Sequence, residues 1–238
     1  MVQIVPAILA ITAEEIAQKI LKAKDITTEV QVDIVDGSFA GPATWPYTHQ
    51  EVTTTTILPP FSQSELMNIE LDVMVDDPER TLSTWMNMGA RRIVFHLEST
   101  LHMKDILDTL RTEYGYEKGF MSSSLSVGIA VNIETRLELL EPYLDSIDYV
   151  QFMGIKRIGV QGQPFAKEVL SKIELFRKKH SDVPIQVDGA VSLETAPALL
   201  RLGVQRLIVG SALFSSSDIE QTYTQFTSLA LQNGIHET

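Results

Sequence analysis

The sequence predicts a single (β/α)8 TIM barrel, an α/β fold, over residues 1–238. Short apolar runs with high β-propensity recur eight times, and most are followed by a stretch with helical periodicity. Strands that alternate with helices are typical of parallel βαβ units. Eight such units in 238 residues fit a closed barrel better than an open sheet. The sequence shows no domain boundary and no low-complexity segment.

The predicted strands are the eight short apolar runs, which are bounded by polar residues and glycines. In chain order they are Gln3–Leu9, Glu29–Ile34, Asn68–Val75, Arg92–His96, Ser126–Val131, Tyr149–Met153, Ile185–Val187 and Arg206–Val209.

The predicted helices rest on periodicity and on capping signals. Thr12 and Glu15 have the spacing of a capping box at the start of the first helix. Asp77 precedes Pro78, which places a capping acid before a proline at the first helical position. The predicted helices are Ala13–Ala23, Pro78–Met88, Met103–Tyr114, Thr135–Tyr143, Phe165–His180, Leu193–Leu202 and Ile219–Leu231.

Two connections differ from this pattern. The segment Glu51–Ser64 contains four consecutive threonines and the pair Pro59-Pro60, which disfavour a regular helix, so we expect an irregular connection there. The segment Gly115–Leu125 is polar and precedes a strand. It is therefore expected at the bottom of the barrel, away from any chemistry.

Composition excludes several classes of function. The chain has no cysteine, which excludes disulfides, thiolate metal sites and cysteine nucleophiles and makes the cytoplasm the simplest location. Its formal charge of −12 disfavours binding to nucleic acid or to an anionic membrane. No apolar run approaches the length of a membrane span, and the first residues lack the basic region of a signal peptide. Assembly into a homo-oligomer is left open.

Three carboxylates are predicted to converge at one end of the barrel. Strand alternation places Gln31 and Asp33 on one face of the second strand, while Asp72 lies in the third strand and Asp188 follows the seventh. Function in such barrels lies at the carboxyl ends of the strands. Carboxylates this close repel each other, so a shared proton or a bound cation is expected between them. The alternative is that one or two of them only cap loops or helix ends.

The loops after the last two strands are predicted to bind an anion. Gly189 and Ala190 follow the seventh strand, and Gly210 and Ser211 follow the eighth. Barrels of this class often bind phosphate between these two loops. Glycine lets the backbone approach the anion, and free N–H groups can then donate to it. Either loop alone could be an ordinary turn.

The remaining charged candidates have simpler interpretations. His96 ends the fourth strand and is expected to be a hydrogen-bonded structural residue. Lys156 and Arg157 follow the sixth strand, where they are either solvated loop charges or a basic clamp over the ligand. The other histidines are expected in loops or at the surface: His49, His102, His180 and His236.

These motifs together resemble the ribulose-phosphate 3-epimerase family. Gln31-Val-Asp-Ile-Val-Asp-Gly37 is similar to the family's His-Val-Asp-Val-Met-Asp-Gly motif, and Phe95-His-Leu-Glu98 is also close. Val187-Asp-Gly-Ala-Val191 resembles Val-Asp-Gly-Gly-Val, and Gly210-Ser-Ala-Leu-Phe214 resembles Gly-Ser-Ala-Ile-Phe. The resemblance covers most of the chain and leaves out the region after the second strand.

The resemblance implies a ribulose-phosphate-binding barrel in which Asp33 and Asp188 are acid and base and also bind a divalent metal. The family's two metal-binding histidines match Gln31 and Asp72 in this chain. An all-oxygen set of Gln31, Asp33, Asp72 and Asp188 favours Mg²⁺ or Mn²⁺ over zinc or iron, with no metal as the alternative. Gln31 would be an amide-oxygen ligand or a hydrogen-bond donor behind the ligands.

The resemblance also extends to the loop after the sixth strand, where Gly162 is retained and joins the expected phosphate site. Two further family positions differ: Ala7 stands where a substrate-contacting serine is expected, and Ala190 where a second glycine is expected.

Three functions follow as hypotheses. The first is an isomerase, a phosphosugar epimerase that moves a proton next to the carbonyl of a ketose phosphate. The second is a catalytically inactive barrel that binds a phosphorylated sugar. The third is another phosphate-binding barrel lyase or synthase in which Lys156 takes part, since fold alone does not define the reaction.

Overall fold

A computed structural model describes residues 2–48, 67–119 and 125–233 of the chain. The expected irregular connection at Glu51–Ser64 lies outside the described residues, as do His49, His236 and the middle of the 115–125 segment. Among the residues that are described, no helix is both long and apolar enough to cross a membrane.

Eight parallel strands form a closed barrel in sequence order, with β8 pairing back onto β1. The predicted fold is confirmed, and each strand boundary lies within one residue of its prediction. The strands are β1 (Gln3–Ile8), β2 (Glu29–Val35), β3 (Asn68–Met74), β4 (Arg92–His96), β5 (Ser126–Val131), β6 (Tyr149–Met153), β7 (Ile185–Asp188) and β8 (Arg206–Val209).

Helices connect most of these strands on the outside of the barrel. They are α1 (Ala13–Ala23), α2 (Leu82–Asn87), α3 (Met103–Tyr114), α4 (Glu168–Lys179), α5 (Ala196–Arg201), α6 (Ser211–Phe214) and α7 (Ile219–Asn233). Short 3₁₀ helices cover Pro78–Arg80, Leu97–Ser99, Leu137–Leu139 and Glu141–Ser146.

Two predicted helices are wrong in detail, and proline and threonine chemistry explains both. The stretch Thr135–Tyr143 forms two 3₁₀ helices, because Pro142 lacks a backbone donor and its ring disfavours a continuous α-helix. The stretch Pro78–Met88 breaks at Thr81, whose hydroxyl donates to the Pro78 carbonyl at 3.3 Å. Asp77 makes no side-chain cap and instead pairs with Arg80 at 2.9 Å.

The apolar core lies between the strands and the surrounding helices. Alternation along each strand sends one set of side chains outward, such as Val32 and Ile34 of β2, into a continuous buried cluster. Trp85 of α2 and Phe176 of α4 are fully buried in the same cluster. The intervening residues of each strand therefore point into the barrel.

The inside of the barrel is unusually polar. Such interiors are commonly filled with branched apolar residues, but here Glu70 and Arg206, the first residue of β8, meet inside the barrel and both are buried. Arg206 also donates to both carboxylate oxygens of Glu29 at 2.9 Å, and Glu70 accepts from the Tyr149 hydroxyl at 2.8 Å. Burial opposes the charge on Glu70, but Arg206 and Arg92 together hold the pKa of this carboxyl below its usual range.

Removing the Glu70 charge should therefore destabilise the barrel. Glu70→Gln keeps the side-chain shape but leaves the buried Arg206 short of an anionic partner, which typically costs about 3–5 kcal/mol of unfolding free energy. Urea denaturation measures this loss. Glu138→Gln is the matched control, because its pair with Arg136 is exposed on both sides and should contribute less than about 1 kcal/mol. A Glu70→Gln loss no larger than that of the control would contradict the charge-compensation account.

Candidate functional site

A cavity of about 600 Å³, including its open mouth, lies at the carboxyl ends of the strands. Asp33 and Asp188 line it. So do the five residues predicted from the sequence to bind phosphate, which are Gly162, Gly189, Ala190, Gly210 and Ser211. The structure thus brings the predicted acid–base pair and the predicted anion loops together in one cavity.

The three predicted carboxylates also meet. One oxygen each from Asp33, Asp72 and Asp188 lies within 4.8 Å of the others. Parallel pairing places Asp33 directly opposite Asp72, and Asp188 ends β7 on the other side of the barrel mouth. Asp33 and Asp72 are buried, while Asp188 keeps an edge open to the cavity.

Burial and the neighbouring charges raise the pKa values of Asp33 and Asp188. Burial, followed by the charges of Asp188 and Asp72, raises the pKa of Asp33 well above its usual range. Burial and the charge of Asp72 raise the pKa of Asp188 to about 7. Such a pair retains a proton near neutral pH, so one carboxyl can donate a proton while the other accepts one.

Asp72 has a different partner. His96 Nε2 lies 3.0 Å from Asp72 Oδ1, and both side chains are fully buried. Burial disfavours the imidazolium, but the charge and the hydrogen bond of Asp72, together with the charges of Glu98 and Asp188, raise the pKa of His96. The Phe39 ring packs against this imidazole with centroids 5.5 Å apart. His96 is therefore hydrogen-bonded and buried, as the sequence predicts.

Gln31 links the two cavity carboxylates. Its Nε2 donates to Asp33 Oδ1 at 2.9 Å and to Asp188 Oδ2 at 3.0 Å. Its Oε1 faces the other way and accepts from Gln186 Nε2 at 3.2 Å. Of the two roles expected for Gln31, this orientation matches the hydrogen-bond donor and not the amide-oxygen ligand.

The carboxylate cluster could hold a metal ion. Three carboxylate oxygens within 4.8 Å of one another can converge on one small cation, and oxygen donors suit hard divalent ions. An ion held there would also reduce the repulsion between the acids. The donor set fits such an ion through Asp33, Asp72 and Asp188, with the Gln31 NH₂ group behind them.

The second acid of the strand-two motif organises the neighbouring loops. Asp36 Oδ1 accepts from the N–H groups of Ser38 and Phe39 at 2.8 and 2.9 Å. Its Oδ2 accepts from the N–H of Asp76, which follows β3, at 2.8 Å. Thr44 Oγ1 donates to the Asp33 carbonyl at 2.9 Å. These bonds hold the backbone on either side of Asp33.

The loops after β6, β7 and β8 pack against one another at their glycines. A Cβ at Gly154 would lie 2.1 Å from the Gly189 carbonyl oxygen, so only glycine allows this approach. A Cβ at Gly210 would lie 2.9 Å from Gln161 Nε2. Ala190 has a left-handed backbone with φ of 52°, where the resemblance expects glycine.

Lys156 and Arg157 do not line the cavity of Asp33 and Asp188. Both border a separate, open surface depression, and Lys156 pairs with Glu168 at 3.1 Å. The solvated-charge interpretation fits this placement better than a clamp. Two other histidines make peripheral contacts, His102 with Asp105 and His180 with Glu141, both at 3.1 Å.

Sequence reasoning identified Gln31 but missed Gln151 and Gln186, which lie with it beneath the carboxylates. Gln151 Nε2 donates to Asp72 Oδ2 at 2.9 Å, and Gln186 Nε2 contacts the oxygens of both Gln31 and Gln151. Gln31, Gln151 and Gln186 each lie two residues before a position that lines the cavity. A glutamine at that spacing in a buried strand is the signal that could have identified them.

Comparisons with known proteins show which family model and which relatives the chain matches. The family model described as "Ribulose-phosphate 3 epimerase family" matches residues 3–214. The chain is 25% identical to the ribulose-phosphate 3-epimerase of Bacillus subtilis over 232 residues, which cover 94% of this chain and 98% of that protein. It is 32% identical to the enzyme of that name from Schizosaccharomyces pombe over 149 residues, 63% of this chain and 60% of the relative.

Solved structures share the fold at lower identity. A 3-hexulose-6-phosphate synthase from Salmonella typhimurium matches with a TM-score of 0.69 at 14% identity, covering 97% of this chain and 99% of that one. KGPDC from Streptococcus mutans matches with a TM-score of 0.70 at 10% identity, covering 98% and 99%. At such identities the likeness shows the barrel fold alone.

The left-handed backbone at Ala190 gives a test of the loop geometry. Ala190→Gly should leave the free energy of unfolding unchanged or raise it by up to about 1 kcal/mol, because glycine adopts positive φ without strain. Ala198→Gly in helix α5 is the matched control and should lower it by about 0.5–1 kcal/mol. Thermal or urea unfolding measures the free energy of unfolding of both variants. Equal losses of stability in the two variants would contradict strain at Ala190.

Proposed function

Because the chain belongs to the ribulose-phosphate 3-epimerase family, we propose that it epimerises a ketose phosphate by proton transfer at the carbon next to the carbonyl. The observation that carries this proposal is the pair Asp33 and Asp188, which face one cavity and are linked by the Gln31 NH₂ group. Their raised pKa values suit a pair in which one member is protonated and the other ionised.

In one direction the Asp33 carboxylate removes the proton from the carbon next to the carbonyl. The electrons of that C–H bond move onto the carbonyl oxygen and give an enediolate. The protonated Asp188 then delivers its proton to the opposite face of the same carbon, and the carbonyl re-forms. The substrate leaves as its epimer, and Asp33 is now protonated while Asp188 is ionised. The reverse reaction therefore uses the same two groups with their roles exchanged.

A divalent ion is the cofactor that this site fits. Asp33, Asp72 and Asp188 would hold it, and the all-oxygen set favours Mg²⁺ or Mn²⁺ over zinc or iron. A bound ion supplies positive charge that stabilises the developing negative charge on the substrate oxygen. Gln31 contributes N–H donors to the Asp33 and Asp188 carboxylates, and the His96–Asp72 contact fixes the third acid.

The phosphate of the substrate is proposed to bind at the loops after β6, β7 and β8. The five residues there line the same cavity as the acid–base pair: Gly162, Gly189, Ala190, Gly210 and Ser211. In a chain of net charge −12, backbone N–H groups at close-approach glycines supply the local attraction that the overall field does not. The cysteine-free sequence supports the cytoplasm as the place of action.

The acid–base assignment predicts the effect of two isosteric substitutions. Asp33→Asn and Asp188→Asn should each lower kcat for a ribulose phosphate by roughly 10²–10⁴-fold, because each removes a proton carrier. KM should change little, since shape and polarity are kept. Asp105→Asn is the control, because that carboxylate is exposed on helix α3. Epimerisation can be followed by NMR, and a kcat within a few-fold of the control in either variant would contradict the assignment.

The phosphate assignment predicts a loss of binding in Gly210→Val. Its Cβ would lie 2.9 Å from Gln161 Nε2 and 3.5 Å from the Ala7 carbonyl, so the Gln161 side chain must move and the valine takes up space in the cavity that Gly210 lines. We expect the Kd for a ribulose phosphate to rise by at least about tenfold, or roughly 1.4 kcal/mol. Calorimetry measures this, with the exposed Ser171→Val as control. An unchanged Kd in a folded Gly210→Val protein would place the phosphate elsewhere.

A further inference from the structure

The orientation of the buried amide of Gln186 is fixed from two sides. Arg206 Nε lies 2.6 Å from Gln186 Oε1, and a guanidinium only donates, so the amide oxygen must face it. On the other side Gln186 Nε2 lies 2.7 Å from Glu70 Oε1, which accepts as a carboxylate. Reversing the amide would set an NH₂ group against Arg206 and an oxygen against Glu70. The charges below the site therefore determine which way Gln186 points.

The orientation of the Gln186 amide in turn determines the orientation of two other glutamine amides, which lie closer to the cavity. The Gln186 NH₂ group also faces Gln151 Oε1 at 2.6 Å and Gln31 Oε1 at 3.2 Å, so its two protons are shared among three acceptors. Because the amide oxygens of Gln31 and Gln151 face Gln186, their NH₂ groups must face the carboxylates of the site. All three amides are fully buried, and none can exchange its partner for bulk water.

The result is a branched hydrogen-bond network whose donors end on the three carboxylates of the site. Gln31 donates to Asp33 and Asp188, and Gln151 donates to Asp72. We refer to Arg206, Gln186, Gln31 and Gln151 as the amide network. Every bond in it runs from donor to acceptor in one direction, from the buried guanidinium towards the cavity.

The geometry points to Gln186 as a positioning residue for the acid–base pair, acting through Gln31. This inference rests on the proposed function, because the pair that it positions is Asp33 and Asp188. Gln186 lies beneath the cavity and does not line it. Its effect must therefore be transmitted: with Gln186 in place, Gln31 presents N–H groups to both carboxylates, and without it the Gln31 amide can rotate and present its oxygen.

A rotated Gln31 would change the reaction and leave the phosphate loops intact. An amide oxygen facing two carboxylates repels them, and displacing a reacting group by about 1 Å can cost roughly 100-fold in rate. The glycines of the loops after β7 and β8 make no contact with the amide network in the hydrogen bonds described. Loss of Gln186 is therefore expected to act on kcat and not on KM.

The purely structural alternative makes a different prediction. Gln186 could simply satisfy Arg206 and Glu70, in which case its loss would lower stability without any effect specific to turnover. Gln3 offers a matched control, because its Oε1 accepts from the same guanidinium through Arg206 Nη1. Gln3 is exposed at the start of β1, and no hydrogen bond described for its side chain leads to the carboxylates.

The test compares Gln186→Met with Gln3→Met in the full chain. Side-chain amide signals of ¹⁵N-labelled protein report directly on Gln31 and Gln151, which are assigned from their own Met variants. We expect Gln186→Met to shift both amide signals and to speed their exchange with solvent, and Gln3→Met to move neither. On a ribulose phosphate, Gln186→Met should lower kcat by roughly 10–100-fold with KM within about threefold of the parent.

A double-mutant cycle separates transmission through Gln31 from independent effects. If Gln186 acts through Gln31, adding Gln186→Met to Gln31→Met should lower kcat little further. Should Gln186→Met not fold, Gln186→Glu keeps an oxygen for Arg206 and removes the NH₂ group that faces Glu70, Gln151 and Gln31. The same shifts of the Gln31 and Gln151 amide signals are expected.

Unchanged Gln31 signals in the Gln186 variant, or a kcat equal to that of Gln3→Met, would overturn the positioning role. Absence of turnover in the parent protein would instead refute the proposed function. In that case the NMR comparison would still decide whether Gln186 orients Gln31.

Discussion

The pairing of Arg206 with Glu70 inside the barrel is the interaction on which the arrangement of the site depends. A buried guanidinium and a buried carboxylate cost desolvation energy and are retained only when each is well partnered. Here Glu29, Gln3, Gln186 and Tyr149 complete their hydrogen bonds. A barrel filled with branched apolar residues would pack as well, but it would offer no fixed donors to the acids above it. The polar interior thus connects the stability of the fold to the geometry of the cavity.

The same network addresses the problem created by three neighbouring acids. Asp33, Asp72 and Asp188 lie close enough to repel, and each receives at least one N–H donor from beneath or beside it. These donors lower the cost of carboxylate charge but do not remove it, since the pKa values of Asp33 and Asp188 remain raised. The balance leaves a proton on the pair near neutral pH, as proton transfer between two carboxyls requires.

Much of the fold was predictable because strand alternation and helix periodicity are local signals. Every strand of the barrel is recovered to within one residue, and the carboxylates at the ends of β2, β3 and β7 were expected to converge on topological grounds alone. The exceptions are places where a single residue interrupts a helix although the apolar periodicity continues. Pro142 and Thr81 interrupt helices whose apolar pattern continues through them.

The amide network could not be predicted in the same way. Gln31 and Gln186 are 155 residues apart in sequence, and the direction of their hydrogen bond depends on which charge lies on the far side of Gln186. A sequence shows that a glutamine points into the barrel, but not which end of its amide faces upward. For that reason Gln31 was expected either as an oxygen ligand or as a donor, and the network selects the donor orientation.

Solvent deuterium exchange tests the central claim most directly, because it reports proton transfer at carbon. A ribulose phosphate is incubated with the protein in D₂O, with and without Mg²⁺ or Mn²⁺, and both epimers are analysed by mass spectrometry and NMR. The account predicts that a single deuteron enters at the carbon next to the carbonyl as the epimers interconvert. Interconversion without deuterium at that carbon, or no exchange under any of these conditions, would contradict it.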